Sequence, residues 1–176
     1  KWNMSPEKLD SKKEYASMFE TFDPNAALPP LQEYIIDPII SEKSITLMYA
    51  PTSIGKTWFS MCIALAASNG KPIFSNTKTS WLAPKPRRVV YIDSEMTEYH
   101  FKKRLQILSQ MYQSDHQNLS FKLVADENMN LADEERGYCD QLSQWLNDEA
   151  DAGRPVDLLI LDNLSTLTGF NDSAKS

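Results

Sequence analysis

The sequence predicts an α/β fold: a mostly parallel sheet with helices on both faces. Three observations carry this. Apolar runs alternate with helical patterns from Ser44 to Leu161, the order a parallel sheet produces because each crossover must return over one of its faces. A glycine-lysine turn stands where the first run meets the helix after it. The last run, Leu158 to Leu161, ends on the carboxylate of Asp162.

Residues 1–31 are polar and interrupted by Pro6, Pro24, Pro29 and Pro30, with one short helical stretch around Lys12 to Phe22. They read as an arm or linker, and residues 32–176 as the domain. Ser44 to Tyr49 is apolar and β-branched and reads as a buried strand, followed by an apolar helix from Lys56 to about Ala67 that Asn69 and Gly70 close. Lys71 to Arg88 holds three prolines and five basic residues with no acid, and reads as an exposed loop or hairpin. Its Trp81 among bases has the makings of a single-strand stacking platform, although such a segment is more often a solvated hairpin or a subunit contact. Arg88 to Ile92 is the second strand. Thr97 to Gln113 aligns Phe101, Leu105, Leu108 and Tyr112 on one helical face. Ser120 to Val124 is a third strand. Asp133 to about Glu149 repeats apolar residues at Tyr138, Leu142, Trp145 and Leu146, and Gly153 with Pro155 ends that helix. Leu158 to Leu161 is the fourth strand.

The chain has 176 residues, 41% of them apolar and 24% charged, with a formal net charge of −6. That is enough apolar material for one core, and it excludes disordered and collagen-like classes. The longest uncharged run, between Lys56 and Lys71, is 14 residues, short of the roughly 20 that span a bilayer. No membrane segment is expected. Cys62 and Cys139 lack metal-ligand spacing and suit a reducing, cytoplasmic setting. The acidity is local: residues 126–151 carry nine acids and one base, leaving +2 for the rest. Nucleic acid is therefore not excluded as a partner.

Ala50-Pro51-Thr52-Ser53-Ile54-Gly55-Lys56-Thr57 matches a phosphate-binding loop except at its first position, where Ala50 replaces glycine. Pro51, Thr52, Ser53, Ile54 and Gly55 are expected to form the nucleotide-binding turn, whose backbone N–H groups point inward around phosphate oxygens, and the dipole of the next helix adds to the attraction. Lys56 is expected to reach the β and γ phosphates of ATP, and the Thr57 hydroxyl to bind Mg²⁺. The plain alternative is a helix-capping turn. Asp162 fits the carboxylate that holds the metal through water or through Thr57; on its own, any buried strand ending in Asp would match.

Asp162 is followed by Asn163, so no acid stands beside it to activate water. Arg88-Val89-Val90-Tyr91-Ile92-Asp93-Ser94-Glu95-Met96 instead puts acids at the end of the second strand, on the same sheet edge as the phosphate loop. Glu95 is expected to orient or deprotonate the attacking water. The competing account is that Asp93 or Ser94 merely caps the next helix.

APTSIGKT, YIDSEM and LLILDNLSTLTG together resemble the RecA-like ATPases, and among them the replicative-helicase branch that includes plasmid RepA and DnaB-like proteins. The resemblance covers about Tyr34 to Phe170. It implies a RecA-type core, ATP hydrolysis in a homo-oligomeric, hexameric ring, and DNA as partner, with the catalytic glutamate on Glu95. Arg104 resembles a position that approaches the base in some relatives, and on its own residues reads as a solvated helix arginine. In this family the neighbours of the phosphate-loop strand follow the aspartate strand, whereas this chain extends 14 residues past Asp162. The resemblance therefore implies a domain truncated after that strand, with its finger arginine and DNA loops downstream, and predicts that residues 44–49 do not pair with 158–161.

The leading expectation is an ATP-hydrolysing motor subunit, a DNA helicase or DNA-associated ATPase. A recombinase or regulatory ATPase that does not unwind DNA shares its fold. A nucleotide-gated binding module shares its loop. A small-molecule kinase fits less well, because Asp162 lies 106 residues beyond Lys56 with the Glu95 strand between them.

Overall fold

The computed structural model describes residues 23–51, 53–73, 81–112, 117–124 and 129–169. The chain divides into two compact units, Lys1–Leu31 and Gln32–Ser176. In the first, the described residues are exposed, and Asp23 turns the chain by accepting the backbone N–H of Asn25 on its carboxylate at 2.9 Å.

The second unit opens with an antiparallel pair, β1 (Tyr34–Ile36) and β2 (Ile40–Ser41). It continues with α1 (Lys56–Asn69), β3 (Val89–Asp93), α2 (Glu98–Tyr112), β4 (Leu119–Leu123), α3 (Tyr138–Asp151), β5 (Leu158–Asp162) and the short α4 (Leu164–Leu167). β3 is the centre of a three-stranded sheet in the order β4-β3-β5, parallel throughout. Asp93 is in register with Asp162 and with Leu123, so the carboxyl ends of all three strands share one edge.

Side chains alternate across a strand with period two, and the core follows that rule. Val89 and Tyr91 of β3, with Leu158 and Ile160 of β5, pack in a cluster with Met61 and Leu65 of α1 and Phe101 and Leu108 of α2. Val90 and Ile92, with Leu159 and Leu161, face the other way and meet Leu142 of α3 and Leu167 of α4. Both faces of the sheet are thus covered, which is why β3 is aliphatic or aromatic before Asp93. All five of its residues are buried. Each fully buried Val or Ile contributes about 1.5–3 kcal/mol to folding. Gly70 ends α1 at φ 62°, its N–H bonded to the Ala66 carbonyl, and a Cβ there would meet Pro86 at 2.8 Å. Only glycine fits that corner.

Two expectations are corrected. Ser44 to Tyr49 forms no strand, and its apolar side chains lie open, with Ile45 fully exposed and Tyr49 91% exposed. Among the described residues, no strand lies beside it to take its hydrogen bonds, and a β-branched run without a partner has nothing to hold it in a ladder. Residues 44–49 accordingly do not pair with β5, whose partner is β3. The second correction concerns Lys71 to Arg88, whose described part is not a free basic hairpin. Leu82 exchanges backbone hydrogen bonds with Asp37, at 2.8 and 3.1 Å, and Ile73 and Ala83 are buried. Arg87 is 7% exposed and lies between Glu42 at 2.6 Å, Glu33 at 3.1 Å and Asp157 at 3.4 Å. Lys85 also pairs with Glu33. Trp81 is half-buried and edge-on to Phe59, their centroids 5.7 Å apart, so it belongs to the core rather than to a stacking platform.

Candidate nucleotide site

The site forms where the amino end of α1 meets the carboxyl edge of the sheet. Approaching α1, the backbone is left-handed at Ser53, φ 65°, and at Gly55, φ 99°. The second of these favours glycine on conformation alone, since a Cβ at Gly55 would meet nothing within 4 Å. α1 then starts at Lys56. The lysine turns back over the loop, its ammonium donating to the carbonyls of Ala50 at 2.8 Å and Pro51 at 3.0 Å. A lysine ammonium has three donors, so these two bonds leave capacity for an anion.

A cavity of about 510 Å³ lies against this turn and is lined by Ser53, Gly55, Lys56, Thr57, Glu95 and Asp162, along with Trp58, Met96, Arg104 and Asn163. Six residues singled out in the sequence therefore come together. Pro51 and Ile54 are exposed and do not line it, and Thr52 lies outside the described residues.

Each acid is held differently. Asp93 is 1% exposed, and its Oδ1 accepts the N–H of Met96 at 2.6 Å and of Glu95 at 3.0 Å. Burial pushes its carboxyl above the ordinary carboxylate range, and those two N–H donors work against the shift. Its role is to close the turn beyond β3. Because α2 begins only at Glu98, neither Asp93 nor Ser94 sits at the helix cap itself. Glu95, next along the turn, projects as an exposed residue at the cavity. Its Oε1 accepts from Asn163 Nδ2 and from Thr166 Oγ1, the latter at 3.3 Å. Asp162 is 8% exposed, and its Oδ2 accepts the Tyr91 hydroxyl at 2.5 Å. Burial and the neighbouring Asp162 carboxylate both push the Tyr91 phenol well above its ordinary range, so it stays a donor. The Asp162–Asn163 peptide bond is cis.

Four of these contributors escape a reading of the sequence alone: Tyr91, Asn163, Thr166 and Trp58. Tyr91 and Asn163 act across 71 and 68 residues of chain, and only the parallel register brings them to their partners. Trp58 lies under the Arg104 guanidinium at 5.2 Å from the ring centroid, a cation–π distance. The one local signal is Asn163-Leu164-Ser165-Thr166, a helix-capping pattern.

The donor set suits a magnesium-bound polyphosphate. Among the described residues no cluster of three or more His, Cys, Asp or Glu could hold a metal. Mg²⁺ typically needs only one or two protein oxygens beside phosphates and water. Thr57 and Asp162 line the same cavity and are oxygens of that kind.

A left-handed glycine, a helix-opening lysine and a strand-end aspartate around one cavity define a P-loop nucleotide-binding core. The chain belongs to the AAA domain family, whose pattern matches residues 12–176, and is a P-loop ATPase of the AAA type. No curated protein and no solved structure shows significant similarity to it. Among the described residues no helix is long and apolar enough to cross a membrane.

Proposed function

We propose that this chain is the motor portion of a RecA-like ATPase that works on DNA as a homo-oligomeric, hexameric ring in the cytoplasm, hydrolysing ATP with Mg²⁺. The observation that supports the chemistry is the shared cavity, where the Lys56 ammonium, the Thr57 hydroxyl and the Glu95 and Asp162 carboxylates meet. The resemblance of APTSIGKT, YIDSEM and LLILDNLSTLTG to replicative helicases supports the DNA motor and the ring. The free cysteines, Cys62 and Cys139, suit a reducing compartment.

The steps follow from the residues. Lys56, whose two bonds to the Ala50 and Pro51 carbonyls leave it a donor, meets the β and γ phosphate oxygens, where its charge offsets the charge that builds on the leaving group. Thr57 and Asp162 would hold the metal, and the Tyr91 hydroxyl fixes one Asp162 oxygen. When bound, Mg²⁺ neutralises charge on the β and γ phosphates. Glu95 orients a water toward the γ phosphorus and accepts its proton as the P–O bond to ADP breaks. The products are ADP and phosphate.

Strand displacement on a forked duplex tests the motor claim. ATP-dependent displacement supports it. Hydrolysis without displacement moves the reading to a recombinase or regulatory ATPase. One observation favours that second reading: Lys85 and Arg87, two bases of the segment best suited to a nucleic-acid strand, are engaged by carboxylates.

A further inference from the structure

Glu95 is an exposed side chain on a turn, and such a glutamate ordinarily samples many rotamers. Its own strand fixes only its backbone, through the 3.0 Å bond from its N–H to Asp93 Oδ1. The carboxylate is held from a different element, at the start of α4.

We propose that Asn163 is a positioning residue for the Glu95 carboxylate, and that the capping of α4 is what aims it; the inference rests on the reading of Glu95 given above. An asparagine amide has an acceptor end and a donor end, and its neighbours decide which end points where. Asn163 Oδ1 accepts the backbone N–H of Thr166 at 2.9 Å and the hydroxyls of Ser165 and Thr166 at 2.8 Å each. Three donors on one oxygen fix that end of the amide. Nδ2 must then face the other way, and there it donates to Glu95 Oε1. The flipped amide would bring its NH₂ against the Thr166 N–H, which can only donate, and its oxygen against a carboxylate, which is unfavourable at both ends.

Thr166 has a lesser part. Its single hydroxyl proton is shared between Asn163 Oδ1 at 2.8 Å and Glu95 Oε1 at 3.3 Å, and the shorter contact takes most of it. Its main effect on Glu95 therefore runs through the asparagine.

The mount is firm. Leu167 is fully buried against Val90, Ile92 and Val124, and its carbonyl accepts the Leu131 N–H at 2.6 Å. Asn163's own N–H donates to Ser94 Oγ at 3.2 Å, and the Ser94 N–H donates to the Asp162 carbonyl at 2.9 Å. The turns beyond β3 and β5 are thus tied together at the point where the two side chains meet. Among the described residues Glu95 Oε2 has no donor, and it is the oxygen left to take a proton from water. A misplacement of about 1 Å in such a group costs on the order of 100-fold in rate.

The test uses the full chain and compares N163S with N163D. Serine keeps a capping oxygen for Thr166 but cannot reach Glu95; aspartate keeps the cap and sets a carboxylate against Glu95. Both should unfold near the parent temperature; N163S should bind ATP with a Kd within a few-fold of the parent's, while N163D, which adds a charge to the cavity lining, should bind more weakly. Their kcat should fall by about 10- to 100-fold, N163D at least as far as N163S. A purely structural cap would leave kcat unmoved in N163S, which adds no charge beside Glu95. An inactive E95Q beside an N163S of parental kcat overturns this inference alone, whereas an E95Q of parental rate overturns the reading of Glu95 and this inference with it. A second readout needs no turnover. In ¹⁵N-asparagine-labelled chain, E95A should shift the side-chain amide resonance of Asn163, and an unmoved resonance overturns the proposal.

Discussion

Replacing Tyr91 with phenylalanine removes one oxygen and little else. The ring stays, with its edge-on contact to Phe101 at 5.5 Å, and so does the packing of a side chain that is 1% exposed. What is lost is the 2.5 Å hydrogen bond to Asp162 Oδ2. A hydrogen bond to a charged group contributes about 1.5–3 kcal/mol. Asp162 lines the cavity, so water can take over part of the donor's role and the expected loss is about 2 kcal/mol. In a domain of this size each kcal/mol lowers Tm by about 2–4 °C, which gives about 4–8 °C for Y91F. The phenol also carries a pH signature. Its folded pKa is raised above the ordinary value of 10 by burial first and by Asp162 second, so above pH 10 the unfolded chain releases this proton while the folded chain keeps it. Stability then falls as pH rises past 10, and Y91F should lose part of that fall. Denaturant unfolding of Y91F, D162N and the double variant, at pH 7 and above pH 10, measures both effects. A coupling energy near zero in that cycle would refute the hydrogen bond as a source of stability.

Other perturbations separate the remaining parts of the account. G55A forces a side chain to φ 99° with no steric neighbour, so it should cost about 1–2 kcal/mol of purely conformational energy and weaken ATP binding, both measurable in one titration series. L167A empties a fully buried position shared with Val90, Ile92 and Val124; a loss of about 2–4 kcal/mol in urea unfolding is expected, and a loss under 1 would mean α4 is not anchored there. Glu149 is drawn down to about 2 by Arg154 and Arg88. Its folded pKa lies below the unfolded value, so its contribution is present above about pH 4.5 and is lost as pH falls toward about 2. E149Q should be the less stable protein at pH 7, and the two unfolding curves should converge on acidification; parallel curves would contradict the ion pairs.

How much of this was legible in the sequence depended on how far the cause reached along the chain. α1 and its boundaries follow from local signals, the Gly55-Lys56 turn at one end and Gly70 at the other. β3 and β5 were readable because a strand covered on both faces is apolar throughout. Ser44 to Tyr49 misled for the same reason: composition announces a strand, but only a neighbouring ladder makes one. The bases around Arg87 looked solvated because their partners, Glu33 and Asp157, lie 54 and 70 residues away. α3 shows a subtler limit. Its spacing of Tyr138, Leu142, Trp145 and Leu146 is helical, and the helix forms, yet none of its residues is fully buried and Trp145 is 38% exposed. Periodicity reports that a helix has an apolar face, not how completely the fold covers it. At the site, the cavity-lining Lys56, Thr57, Glu95 and Asp162 stand in local sequence patterns, whereas the side chains that hold Asp162 and Glu95, Tyr91 and Asn163, depend on the β3–β5 register.

The central claim is that Glu95 handles the water while Lys56 handles the phosphates and Thr57, with Asp162, the metal. Trp58 lines the cavity, so its fluorescence should report ATP binding while phosphate release reports turnover in the same sample. For E95Q with Mg²⁺, the account predicts parental ATP affinity and phosphate release slowed by about 10²- to 10⁴-fold, the range a positioned general base supplies. An E95Q protein that releases phosphate at the parental rate would contradict it.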